Sequence, residues 1–173
     1  MSQTKKITLS ALVVALGTVF MVIGALIDVL DLTVCALASM LVVFVFLEIG
    51  SYYPWLVWIC TSLATALLYP GKPIWAEYAL IFGVYPLIKA YIEKLPKWSW
   101  IIVKLTYINA MIWGAFAILK FVIFFDFESE NKIMTVILYV LMNVAFIAFD
   151  IFITVMSRFY IVKLRPRFKK FLK

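Results

Sequence analysis

The stretch ITLSALVVALGTVFMVIGALI, residues 7–27, decides the fold of this chain. Lys5 and Lys6 stand immediately before it, and Asp28 and Asp31 follow it closely. Wound as a helix, about 21 residues reach roughly 30 Å, the thickness of a hydrocarbon core. Ala11, Ala15, Thr18 and Ala25 fall near one line on that helix, and Ser10, Gly17 and Gly24 recur at every seventh position on a neighbouring face. Lipid tails give helices no hydrophobic reason to associate, so close contact between small residues takes over that role. The spacing predicts two packing faces. Either both are consumed inside the protein's own bundle, or one serves the bundle and the other meets a partner, while Phe20, Met21 and Ile23 face lipid or core.

The rest of the chain extends the same pattern. Of 173 residues, 66% are hydrophobic and 17% aromatic, and the mean hydropathy is +1.10. A soluble domain of this size has no core large enough to hide so much apolar surface, and a single span would leave most of it unexplained. The chain reads as an integral membrane protein of several spans. Its 16 Lys and Arg against 9 Asp and Glu could suggest nucleic acid. The charges instead lie at the ends of apolar runs, where topology signals belong, and no nucleic-acid partner is expected. The N-terminal run is longer than a signal-peptide core and lacks a convincing cleavage site, so it is read as retained.

Six spans follow in order, at about 7–27, 32–47, 55–69, 74–92, 100–125 and 133–160, with a basic tail over 161–173. Glu48, Gly50, Ser51, Tyr52, Tyr53 and Pro54 break the second span from the third, and Pro70-Gly71-Lys72-Pro73 stops the third. That third span is short for a full crossing. Pro86 lies inside the fourth and should kink it unless neighbours satisfy the freed carbonyl. Basic residues gather at Lys5 and Lys6, around Lys94 and in the tail, whereas Asp28, Asp31, Asp126, Glu128 and Glu130 mark the opposite side. The positive-inside rule then predicts an all-α integral membrane protein of six transmembrane helices with both termini cytoplasmic.

Ionisable and amide side chains within such spans are expensive and therefore candidates for function. Glu77 and Lys120, with Tyr78, Trp75 and Tyr69, fall in the outer halves of spans four and five, where they line a pocket or snorkel to water. Asn109 and Asn143 fall near mid-membrane, where they bond helix to helix or bind a polar solute. Asp150, Arg158, Lys104 and Glu48 suggest a charge-paired cluster at the inner side. With 2 Cys and no His, a zinc site or redox motif has little support, and the different depths of Cys35 and Cys60 argue against a disulfide. No nucleophile elbow, His-Glu-x-x-His motif or phosphate loop occurs. Neither an enzyme nor a cofactor is expected, and active transport requires an ATPase on another polypeptide.

The short basic N-terminus leading into K-I-T-L-S-A-L-V-V-A-L-G, with small residues at Ala11 and Ala15, resembles the substrate-binding S components of energy-coupling factor (ECF) transporters. That resemblance covers size, span number and orientation across the whole chain. It implies that Ala11 and Ala15 dock on a membrane scaffold subunit that carries two cytoplasmic ATPases. It also implies a vitamin-like small-molecule solute bound at the outer ends of spans four to six. The expected site is therefore Glu77, Tyr78, Asn109, Lys120 and Asn143, in a multi-pass protein of the bacterial cytoplasmic membrane. The alternatives are a membrane scaffold or accessory subunit without transport of its own, and an autonomous oligomeric channel or carrier.

Overall fold

The computed structural model of the protein describes residues 2–27, 30–122 and 132–166. Asp28, Asp126, Glu128, Glu130 and the tail beyond 166 lie outside the described residues, as does the side chain of Lys120. The described chain is helical, without a strand. It forms two compact units, Met1–Glu130 and Asn131–Lys173. Three helical stretches, Gln3–Leu26, Asp31–Glu48 and Val136–Leu164, are long and apolar enough to cross a membrane, and Tyr53–Leu68 is a shorter apolar helix. Large apolar side chains lie open on their outer faces and on the later helices; Leu67 is 82% exposed and Trp113 71%. Water would penalise such a surface and lipid would not, which makes the architecture compatible with a membrane location.

In the first unit, α1 (Gln3–Leu26), α2 (Asp31–Glu48) and α3 (Tyr53–Leu68) pack against one another. Ser2 caps α1 by accepting the Lys5 amide at 3.4 Å. Gly50 and Ser51, both at positive φ (64° and 58°), reverse the chain after α2, and the Gly50 amide bonds back to the Val45 carbonyl at 3.1 Å. Pro54 then opens α3 within its first turn, where a missing amide costs nothing.

The small residues of α1 divide between two surfaces. Ser10, Gly17 and Gly24 are buried. A Cβ on Gly24 would stand 2.7 Å from Cδ1 of Ile74 and 3.2 Å from Cβ of Val34. On Gly17 it would stand 3.3 Å from Cγ2 of Thr61. Ala11 and Ala15 are exposed and Thr18 is half-buried, whereas Ala25 is buried on the glycine side. An α-helix advances about 100° per residue, and this places Ala25 some 40° nearer the glycine face than Ala11.

The apolar run over 74–92 is an interrupted helix. It consists of α4 (Ile74–Glu77), a π-helical turn over Tyr78–Phe82 and α5 (Tyr85–Ile92). Pro86 has no amide to give the Phe82 carbonyl, and it sits instead within the first turn of α5. These short elements touch α1, α2, α3 and α6 (Lys97–Val122). Ile74, Ala76, Tyr78, Tyr85 and Leu87 along them are almost completely buried. Leu87 also joins Val13, Val42, Val45, Tyr53 and Val57 in the apolar core shared with α1, α2 and α3.

The second unit is built on α7 (Lys132–Phe159), which continues as a π-helical turn over Tyr160–Leu164. Most of its apolar side chains are exposed or half-buried; Phe146, Phe149, Ile153 and Tyr160 are buried.

Gly83 is the least tolerant glycine. A Cβ there would meet Trp58 Cδ1 at 2.7 Å, Tyr78 Cζ at 2.8 Å and the Tyr78 carbonyl oxygen at 2.9 Å, while one on Gly114 meets nothing within 4 Å. Gly83→Ala is expected to destabilise the protein by about 2 kcal/mol or more through overpacking against backbone. Gly114→Ala should be neutral or gain up to about 1 kcal/mol of helix propensity. Thermal unfolding in detergent compares the two.

Candidate functional site

The interrupted helix leaves backbone groups that its own turns do not satisfy, and side chains from flanking helices reach them. Gly83 N–H closes the π-turn on the Tyr78 carbonyl at 2.7 Å. The Trp58 indole of α3 donates to the Ala79 carbonyl at 3.0 Å. The Tyr107 hydroxyl of α6 donates to the Leu80 carbonyl at 2.8 Å. Tyr107 also lies 5.6 Å, ring centroid to centroid, from Tyr85 at the start of α5. Two aromatic residues thus clasp the turn from opposite helices.

Polar groups collect at the start of this element. The Trp75 indole donates to the Pro70 carbonyl at 3.2 Å, bracing the turn that precedes α4. The Cys35 thiol of α2 points at the Ile74 carbonyl, 3.9 Å away. Glu77 ends α4 near Asp31 at the start of α2 and near the Cys35 thiol. One carboxylate oxygen of Glu77, Oε2, is buried and makes no hydrogen bond. Tyr78, fully buried, lies beside Cys35 and Thr61. The buried Thr61 hydroxyl also flanks Gly17 of α1. Two acidic residues from different helices, together with a thiol, a phenol and a hydroxyl, form one polar seam in the first unit. Their chemistry suits a positively charged or hydrogen-bond-donating group. Among the described residues, no group of three His, Cys, Asp or Glu has the geometry to hold a metal ion.

Of the residues expected to bind solute, Glu77 and Tyr78 meet in this seam. The Asn109 amide nitrogen donates to the Leu105 carbonyl of its own helix at 2.8 Å. Asn143, in the second unit, does the same to Tyr139 at 3.0 Å. Both therefore spend a donor on backbone one turn earlier, as short polar side chains do within helices. The Glu77–Lys120 pairing lies outside the described residues. Cys35 is buried and Cys60 exposed, and both are free thiols.

A second cluster was only partly visible in the sequence. Lys89 of α5, 5% exposed, pairs with Glu93 at 3.6 Å, and Lys104 of α6 reaches the same Glu93 oxygen at 3.8 Å. Lys89 also lies 5.9 Å from the Tyr85 ring centroid, and Lys104 5.8 Å from that of Trp100. The Lys89–Glu93 spacing of four residues was the available signal. The contribution of Lys104 depends on which face of α6 meets α5, and no local pattern encodes that.

Set against protein-family models, curated proteins and solved structures, the chain matches none of them.

Tyr107→Phe removes the donor to Leu80 while keeping the ring, and should cost about 1–2 kcal/mol, the penalty of a buried carbonyl left unpaired. Chemical or thermal unfolding in detergent reads this directly. An unchanged midpoint would mean that the carbonyl finds water or another donor.

Proposed function

We propose that the protein is a membrane-embedded solute-binding subunit whose transport activity depends on a partner ATPase module, the role that the resemblance to ECF S components implies. In this reading six helical passes cross a bacterial cytoplasmic membrane with both termini inside, and the interrupted fourth pass carries the solute site. The observation that carries the reading is the buried Glu77 Oε2 without a hydrogen-bond partner, set beside Asp31 at the end of a broken helix. Broken helices at membrane depth are tolerated where they are enclosed by protein, and they commonly place backbone and side-chain polar groups against a solute. The solute class that suits the site is small and cationic or rich in hydrogen-bond donors.

The α1 surface supports the partner half of the proposal. Gly17 and Gly24 serve internal packing, and Ala11 and Ala15 remain exposed on the other side. The same exposure fits the second reading, a scaffold or accessory subunit without transport, because a small-residue face suits any membrane helix. Bound solute separates the two.

Native mass spectrometry of the protein purified with its natural partners is the test. A bound small molecule, together with a scaffold and two ATPases, is the expected result. Glu77→Gln should then weaken solute retention at least tenfold without loss of partners. Saturating solute at a hundredfold excess over its Kd should stabilise the wild type by about 3 kcal/mol. Ala15→Leu should release the partners and leave solute retention intact. An empty protein attached to unrelated membrane subunits, with no thermal shift on adding solutes, would return the chain to the scaffold reading.

A further inference from the structure

The end of α7 carries a surface that the solute site does not use. In an α-helix, residues five apart are separated by about 140° around the axis, so Arg158 and Lys163 would point to different sides. The π-helical turn over Tyr160–Leu164, closed by the Arg165 amide on the Tyr160 carbonyl, changes that register. Bonding from i to i+5 widens the turn and brings residues five apart towards one face. Arg158 and Lys163 line one open groove of about 380 Å³ with Thr154, Val155, Phe159 and Val162.

The lining has two chemistries. Arg158 and Lys163 are both exposed, and among the described residues no carboxylate lines the groove. The Lys163 ammonium sits 5.3 Å from the Phe159 ring centroid, which holds it over the apolar part. Val155, Phe159 and Val162 are exposed, and they continue the open apolar face formed by Ile147 and Ile151. A guanidinium matches phosphate oxygens in pairs, and an ammonium adds a point charge. The groove also ends the apolar stretch Val136–Leu164, where a helix leaves hydrocarbon for headgroups. An acidic peptide would use the two cations but would leave the continuous apolar strip without a partner. A lipid uses both.

We propose that this groove binds one anionic phospholipid, its phosphate held by Arg158 and Lys163 and an acyl chain laid along Val155, Phe159 and Val162. The proposal shares with the function above only the reading of α7 as a membrane-crossing helix.

The test is native mass spectrometry of the full-length protein taken from bilayers of equal phosphatidylglycerol and phosphatidylcholine. The wild type should retain one phosphatidylglycerol at least fivefold over phosphatidylcholine. Arg158→Gln with Lys163→Gln should abolish that preference, whereas the charge-conserving pair Arg158→Lys with Lys163→Arg should keep it. Lys94→Gln, a basic change elsewhere, should leave the preference unaltered. Equal retention of both lipids by the wild type would overturn the site without recourse to any variant. So would a preference that survives the double glutamine change, or displacement of the lipid by millimolar inorganic phosphate. Loss of solute binding by Glu77→Gln has no bearing on these outcomes, so the two proposals fail separately.

Discussion

A helix that breaks inside an apolar bundle must find donors for the carbonyls it frees, and the first unit is arranged around that requirement. Water is not at hand there, and an unpaired peptide group costs kilocalories. Trp58 and Tyr107 supply the donors from α3 and α6, and Gly83 admits the indole and the Tyr78 ring against the backbone. Trp58 and Tyr107 each constrain the position of a different helix. The clasp therefore fixes α3 and α6 about the turn, and Ile74, Tyr78, Tyr85 and Leu87 of the same element are buried.

The polar groups at the two ends of the interrupted element follow from the same break. At its start, the turn over 70–73 and the end of α4 bring Glu77 near the beginning of α2, where Asp31 and Cys35 lie. Beyond the break, α5 buries Lys89 and turns Glu93 towards Lys104 of α6. A continuous helix from 74 to 92 would advance about 100° per residue and hold both ends to one register. The π-turn and the two-residue connection loosen that register and let each end choose its own neighbours. The result is an acidic seam at one end of the element and an ion-paired clamp at the other.

Helix α1 shows the same economy with a simpler device. Gly17 and Gly24 allow Thr61, Ile74 and Val34 to come into direct contact with its backbone, while Ala11 and Ala15 leave a shallow surface on the other side. Small residues on one helix thus do different work according to the face they occupy. The π-turn after Phe159 is a comparable local change of register, and Arg158 and Lys163 line one groove beside it.

The sequence by itself determined the helical class and, among the described residues, the breaks at 49–52 and 69–73, and it marked Glu77 as a candidate, because these depend on local quantities. Apolar run length, proline and glycine placement and the cost of a carboxylate in hydrocarbon are all readable along one dimension. The two small-residue faces of α1 were legible for the same reason, although Ala25 proved to belong with the glycines. Only the tertiary structure decided that α4 and α5 are the hub, that Trp58 and Tyr107 hold the turn, and that Lys104 shares Glu93 with Lys89. Asn109 and Asn143 illustrate the limit. Their identity announced a polar group in an apolar helix, but whether each would reach a neighbour, a solute or its own backbone depended on rotamer and helix rotation. Those are properties of packing in three dimensions, where residues far apart in sequence compete for the same donor or acceptor.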